Sequence, residues 1–449
     1  MALCWRTGAN RSAEYRIEHW GSIEQSRLSI ASEECRLSNV TATHRGRKII
    51  ELSDSRLRKS FTERTVDRVS RGGQVKSVLV CGPGTNVGET GSMARFLTHV
   101  SASLQEHGCQ VVVLGARELA DAQQNNPLLR MLSRLHTPWL VIYWIFVFDA
   151  WRRAGYPVIV VTSQEYVVPF AFKKQIAIYH DLIQYFYPRN KKSALYYRYY
   201  LRWISRKLGF VYCVTKATGR MVSHLFGKVP YHICGVPIDR QFLSSGDAVG
   251  AGEHFHAVWV GTLAAHKNYG RVLDYIKRDA GGVESVAMVV PRNQTADLRG
   301  EADALGLGNR IQVFSDLTED ELSDIYHCSD IVMSTSELEG FCMPVLEAAL
   351  CGCRPVVPDR ATFRENFGHF GILVPPHGDT NPKDIGDRPV LDRNAVASHA
   401  RAFHKVVRDR WKASLDEIAN AAMAGGKVEI TRAVGLSYDE RRITLSSRD

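Results

Sequence analysis

Residues 334–355 read STSELEGFCMPVLEAALCGCRP, and more of the fold follows from them than from any other part of the chain. The apolar run Ile331 to Met333 just before them reads as a buried strand. Glu339, Gly340 and Phe341 read as a tight turn leading into a short helix. Pro344 suits the first helical turn, where a missing N–H costs nothing, and Gly352 suits the C-terminal stop. Strand, turn and helix N-terminus make a ready anion site, because unpaired N–H groups and the positive end of the helix dipole face the crevice. Glu339 and Glu347, eight positions apart, flank it, one in the turn and one on the helix. Carboxylates there accept hydrogen bonds from hydroxyls. A phosphate group with hydroxyls on both sides fits that description, and a nucleotide sugar is such a ligand.

On either side of this stretch the chain repeats one pattern of strand, glycine turn and helix. Ser77 to Cys81 is a short apolar strand, followed by the glycine-rich run Gly82 to Gly88. Met93, Phe96, Leu97, Val100 and Leu104 then share one helical face, and Val111 to Leu114 makes the next strand. That is the opening of a doubly wound sheet. Further strands are read at Pro157 to Val161, Ile176 to Tyr179 and Phe210 to Val214, with a helix from Thr215 to Leu225. His180, at the carboxyl end of its strand, stands where open α/β sheets bind ligands. Tyr187 to Gly209, rich in Tyr, Arg and Lys, reads as an amphipathic basic helix that could rest on anionic lipid.

A second run of the pattern begins near His254. Ala257 to Val260 is a strand, followed by the turn Gly261, Thr262, Leu263, Ala264, Ala265, His266, Lys267, Asn268 and a helix carrying Val272, Leu273 and Ile276. Lys267, at the mouth of a parallel strand, is the candidate cation for a diphosphate. Val286 to Val290 and Ile311 to Phe314 are further strands, and Thr318 with Glu321 forms a capping box. A long helix is expected from Asn394 to Ala424. The organisation read is an extension over 1–73 without fixed structure, domains over 74–245 and 246–392, and a C-terminal helix and tail over 393–449.

These motifs resemble the E-x7-E signature of retaining glycosyltransferases of family 4, the group 1 type. EGFCMPVLEAALCG is close to the family pattern, and His180-Asp181-Leu182 matches its HDL wording. Residues 234–239, CGVPID, resemble its NGVD segment with Cys234 in the Asn position, and Leu317 to Ile325 resembles the element whose preceding loop lies against the nucleotide base. The resemblance implies a GT-B fold, α/β with two Rossmann-like doubly wound domains facing across a cleft. The first domain takes the acceptor side and the second the nucleotide-sugar donor. It implies a donor site of Gly88, Gly261, Thr262, His266, Lys267, Leu317, Glu339, Gly340, Phe341, Cys342, Met343 and Glu347, with His180, Lys267 and Glu339 in catalysis. In that site Glu339 contacts sugar hydroxyls and Glu347 the ribose.

The expected reaction moves a hexose, with the GTLxxxKN wording leaning towards GDP-mannose over a UDP-sugar, to a glycan or lipid-linked acceptor in polysaccharide synthesis. The resemblance implies a front-face path in which the leaving phosphate helps deprotonate the acceptor, so no dedicated base is expected. No cofactor is expected, and no metal, since no Asp-x-Asp motif lies in a convincing loop. One departure is that Thr262 and His266 stand where the family usually places an arginine. That departure motivates a non-catalytic GT-B scaffold as the alternative, beside a GT-B epimerase.

Ten scattered cysteines without metal-like spacing point to reduced thiols in a cytoplasm-like compartment. The net charge of +10 suits an anionic membrane surface or an anionic substrate, and no nucleic-acid module accompanies it. The longest apolar run, Trp139 to Phe148, is too short to span a bilayer, and no signal peptide is read at the N-terminus. A cytoplasmic enzyme, peripheral on the inner face of a membrane and needing no nucleic-acid partner, is the expectation.

Overall fold

Apolar runs such as Val78-Leu79-Val80 and Val158-Ile159-Val160-Val161 have no polar face, as strands buried on both sides require. The computed structural model describes residues 77–83, 92–135, 138–238, 242, 254–278, 285–376 and 392–424. In it these runs form a six-stranded parallel sheet of β1 (Ser77–Cys81), β2 (Gln110–Leu114), β3 (Val158–Val161), β4 (Gln175–Tyr179), β5 (Val211–Cys213) and β6 (Tyr231–Ile233). The order is β2-β1-β3-β4-β5-β6. The helix Ser92–Glu106 buries Phe96, Leu97, Val100 and Leu104 against this sheet.

A second parallel sheet joins β7 (Phe255–Val260), β8 (Val286–Val289), β9 (Ile311–Phe314), β10 (Ser329–Met333), β11 (Arg354–Pro358) and β12 (Ile372–Val374). Its order is β12-β11-β10-β7-β8-β9, so the direction of winding reverses between β7 and β10. In open α/β sheets the crevice beyond the strand ends at such a reversal receives the ligand. The loops leaving β7 and β10 are those that carry Lys267 and Glu339. Two doubly wound sheets with helices make the α/β, GT-B architecture.

The helix Arg393–Met423 starts under the second sheet and returns to the first domain. Trp411 meets Phe96 edge to face at 4.6 Å, and Asp416 meets His107 at 3.1 Å. Gly235, at φ +75, passes so close to this helix that a Cβ would lie 2.9 Å from the Val407 carbonyl oxygen.

The basic helix differs from its expected start at Tyr187. It begins at Lys191, because the Asn190 side chain caps it by accepting from the Ser193 N–H at 2.9 Å. Pro188 also disfavours a helical conformation for Tyr187. It runs on through a π-turn at Tyr196–Leu201 to Leu208 and stops at Gly209, φ +85. The run Trp139 to Phe148 lies in the helix Trp139–Arg153. That helix buries Ile142, Tyr143, Phe146 and Val147 and leaves Trp139 and Phe148 exposed. The expected extension 1–73, the boundary at 245/246 and Gly88 lie outside the described residues.

Candidate active site

The loop after β10 is fixed carbonyl by carbonyl. The Glu339 carbonyl accepts from Thr362 Oγ1 at 2.9 Å, the Gly340 carbonyl from Thr215 Oγ1 at 2.9 Å, and the Phe341 carbonyl from Asn366 Nδ2 at 2.9 Å. Thr362 and Asn366 lie one turn apart on the helix Ala361–Phe367, whereas Thr215 comes from the first domain and also caps the helix Lys216–Phe226. With its carbonyls taken up, the loop delivers Cys342 and Met343 to the start of the helix Met343–Leu350. The first N–H groups of that helix have no intrahelical partner. Pro344 sits in its first turn, and Gly352, φ +95, ends it.

Cys342 holds φ +70, a left-handed conformation that side chains rarely adopt. Its thiol lies 3.9 Å from Ser334 Oγ, and burial pushes its pKa up to about 12. Phe341 is buried and stacks near Phe403 of the returning helix at 6.3 Å.

Lys267 reaches this loop from the neighbouring strand. Its Nζ lies 2.5 Å from Glu339 Oε1, with Glu339 only 7% exposed. Burial alone would lower the ammonium pKa, but Glu339 outweighs it, and the net shift is upward. The two loops are tied by backbone as well. The Glu337 N–H donates to the His266 carbonyl at 2.7 Å, and Thr335 Oγ1 donates to the Lys267 carbonyl at 2.9 Å. His266 is half-buried. Burial and then the Lys267 charge pull its pKa down, against Glu339. Its neutral form is therefore favoured.

Gly261 continues the β7 ladder by donating to the Val289 carbonyl at 3.0 Å, and a Cβ on it would press on the Trp259 ring at 2.9 Å. Thr262 is half-buried beside it. Leu317 packs partly against the core below. Glu347 is 1% exposed, and its charge helps raise the pKa values of Tyr326 and Cys351, after their own burial.

The first domain meets this loop at the end of β4. His180 is half-buried, and its Nε2 lies 2.6 Å from the Thr162 carbonyl. A carbonyl only accepts, so Nε2 carries the proton and Nδ1 is left as an acceptor. Burial pushes the ring pKa down to about 4, against that hydrogen bond. Asp181 next to it is pushed up to about 6, chiefly by burial, with the Ile183 N–H opposing and Glu339 adding to the rise. The Gln164 side chain braces the turn, accepting from the His180 N–H at 3.1 Å and donating to the Asp181 carbonyl at 3.0 Å.

The structure thus brings His180, Lys267, Glu339, Gly340, Phe341, Cys342 and Met343 to one place, with His266 tied to it through its backbone. Sequence reasoning missed Thr215, Thr362, Asn366 and Asp181. The polar pair Thr362 and Asn366, four apart and each just before a buried phenylalanine (Phe363 and Phe367), was the available signal, because a buried polar side chain needs a partner. Glu365 was also missed. Its carboxylate accepts from the Lys216 and Ala217 N–H groups, both at 2.8 Å, and so joins the second domain to a helix N-terminus of the first. Tyr187 adds a further cross-domain bond to Glu337.

Two family models match the chain. "Glycosyltransferase Family 4" matches residues 93–241 and "Glycosyl transferases group 1" matches residues 251–388. Among solved structures, a sucrose-phosphate synthase from Thermosynechococcus elongatus is similar at TM-score 0.58 and 13% identity, covering 78% of this chain and 98% of that one. WaaG, a glycosyltransferase involved in lipopolysaccharide biosynthesis, is similar at TM-score 0.52 and 12% identity, covering 78% of this chain and 100% of that one. A Drosophila melanogaster tRNA-queuosine alpha-mannosyltransferase is 37% identical over 61 residues, 14% of this chain and 16% of that protein.

Proposed function

We propose that this chain, which belongs to the group 1, family 4 glycosyltransferases, moves a hexose from a nucleotide sugar to a glycan or lipid-linked acceptor with retention of configuration. The observation that carries the reading is the Lys267–Glu339 pair at 2.5 Å, set beside the N-terminus of the helix Met343–Leu350.

Transfer breaks the anomeric C–O bond, and both electrons leave with the diphosphate oxygen. Lys267 and the amides of Cys342 and Met343 would stabilise that developing negative charge in a closed cleft. Glu339 would hold the ammonium in place and accept from sugar hydroxyls, while Glu347 would take the ribose. The neutral His180 offers Nδ1 to a sugar hydroxyl donor. The departing phosphate itself would remove the acceptor proton, which directs attack to the same face and needs neither a protein base nor a metal. The short match to the fly mannosyltransferase supports mannose as the sugar, and the GTLxxxKN wording at residues 261–268 leans towards GDP-mannose as the donor. The acceptor would be met at an anionic membrane surface on the cytoplasmic side.

Thermal melting with GDP, UDP and no nucleotide tests the reading. A ligand binding only the folded chain adds about 2.7 kcal/mol at a hundred times its Kd. Stabilisation by GDP above UDP, with release of GDP from GDP-mannose, is the expected result. No shift with either nucleotide and no donor turnover would overturn it.

A further inference from the structure

Between Asp181 and Asp239 the chain contains ten lysines and arginines and no acidic residue. The helix from Lys191 to Leu208 lies inside this interval, and its exposed positions recur with helical spacing. Leu195, Tyr199 and Trp203 form one exposed ridge, at 59%, 69% and 45% exposure. Arg198, Arg202 and Arg206 run beside it, each one position before a ridge residue or one turn further on. Buried residues Tyr197, Leu201, Ile204 and Leu208 hold the opposite face to the first domain.

The ridge continues onto neighbouring elements. Trp203 meets Phe172 edge to face at 5.8 Å, and a shallow hollow beyond it is lined by Phe172, Lys173, Tyr156 and Trp151. Ten of the eleven exposed large apolar side chains among the described residues lie between Leu128 and Trp203, and the eleventh is Val406. Among the described residues the second domain therefore offers no comparable surface.

We propose that this face of the first domain is a docking surface for an anionic lipid bilayer, with Leu195, Tyr199 and Trp203 entering the headgroup layer and the arginines pairing with lipid phosphates. An amphipathic helix with aromatic and leucine residues on one stripe and Lys/Arg beside it is built to lie in that interface. Two features favour lipid over RNA, whose stacking platforms use open aromatic rings: the ridge starts with an aliphatic residue that offers no stacking face, and Trp203 packs against Phe172. The uniform positive charge opposes face-to-face pairing of two copies. The proposal deepens the acceptor side of the functional reading, and resting on it only there, it does not depend on which donor is used.

The test is co-sedimentation of the full chain with vesicles of phosphatidylcholine alone and of phosphatidylcholine mixed with phosphatidylglycerol. Binding to the mixed vesicles only, weakened by salt, is expected. Arg198→Gln with Arg202→Gln should weaken partitioning on the order of 30-fold, from about fivefold per cation near an anionic surface. Tyr199→Ser with Trp203→Ser should remove the binding that persists at high salt. Both variants should keep a cooperative melting transition, lowered in the second by loss of the Trp203–Phe172 contact, and wild-type release of nucleoside diphosphate from the donor, which separates failure of this surface from failure of the functional reading. Wild-type vesicle binding by the arginine variant would overturn the proposal. So would absence of binding to mixed vesicles, a structured RNA bound in their place, or a dimer that the ridge variant dissociates.

Discussion

Gly340 lies so close to His180 that a Cβ on it would sit 1.9 Å from the His180 carbonyl oxygen. The second domain's loop thus rests directly on the strand end of the first, and only the absence of a side chain permits it.

Gly340→Ala should force the domains apart, since the obstructing atom is backbone and cannot rotate away. A stability loss of about 1–3 kcal/mol is expected, as for overpacking, together with loss of donor turnover. Gly300→Ala is the control, because a Cβ there meets nothing within 4 Å inside a helix, and should stabilise by about 0.5–1 kcal/mol. Melting curves and turnover read both. Wild-type behaviour of Gly340→Ala would show that the contact does not form.

Lys267→Ala should cost about 3 kcal/mol by leaving the buried Glu339 carboxylate without its cation. The double variant Lys267→Ala, Glu339→Ala should be less destabilised than the sum of the singles. The raised Lys267 pKa fixes the direction with pH. The pair's contribution is complete below the ordinary lysine value and fades as pH rises through the higher folded value. Strictly additive single-variant losses, measured by denaturant unfolding, would exclude the coupling.

His180 and Asp181 should oppose one another in acid. His180, ordinarily near 6.5 and held to about 4 in the fold, supports stability above 6.5 that is lost as pH falls towards 4. Asp181, raised from 3.8 to about 6, supports stability below 3.8 that is lost as pH rises towards 6. Asp181→Asn should therefore steepen the loss of stability on acidification over this range, and His180→Asn should reverse its slope. Unfolding free energies at several pH values decide it, and parallel curves for both variants would refute the assignment.

Cys342→Gly should raise stability by about 1 kcal/mol, because glycine adopts φ +70 without the steric penalty that a Cβ brings. A lower melting temperature than wild type would mean that the thiol's packing beside Ser334 outweighs the backbone strain.

Glu365→Gln keeps the shape but replaces one acceptor oxygen with a donor facing an N–H. Losing one bond and the charge at a helix N-terminus should cost about 1–3 kcal/mol. The cleft should open, seen as a larger radius of gyration in solution scattering. An unchanged radius would limit Glu365 to a local role.

Much of this was legible locally. Apolar runs marked β1, β4, β7 and β10, because strands buried on both faces admit little else. Thr318 and Glu321 marked a helix start, since a capping box is complete within four residues. The His180 strand end, the Lys267 turn and the Glu339 loop were all placed in this way, each as an isolated element. The basic helix was misjudged by one turn, because an Asn cap and a preceding proline outweighed the continuous tyrosine and basic pattern.

What local pattern could not supply was who meets whom. Strand order, and with it the reversal between β7 and β10 that sets Lys267 against Glu339, depends on crossovers that leave no mark on neighbouring residues. Thr215 and Glu365 found their partners only when the two domains met, and Thr362 and Asn366 found theirs only when their helix packed against the loop after β10. Hydrogen-bond partners that far apart in the chain are chosen by packing, whereas helices and strands are chosen by their own side chains.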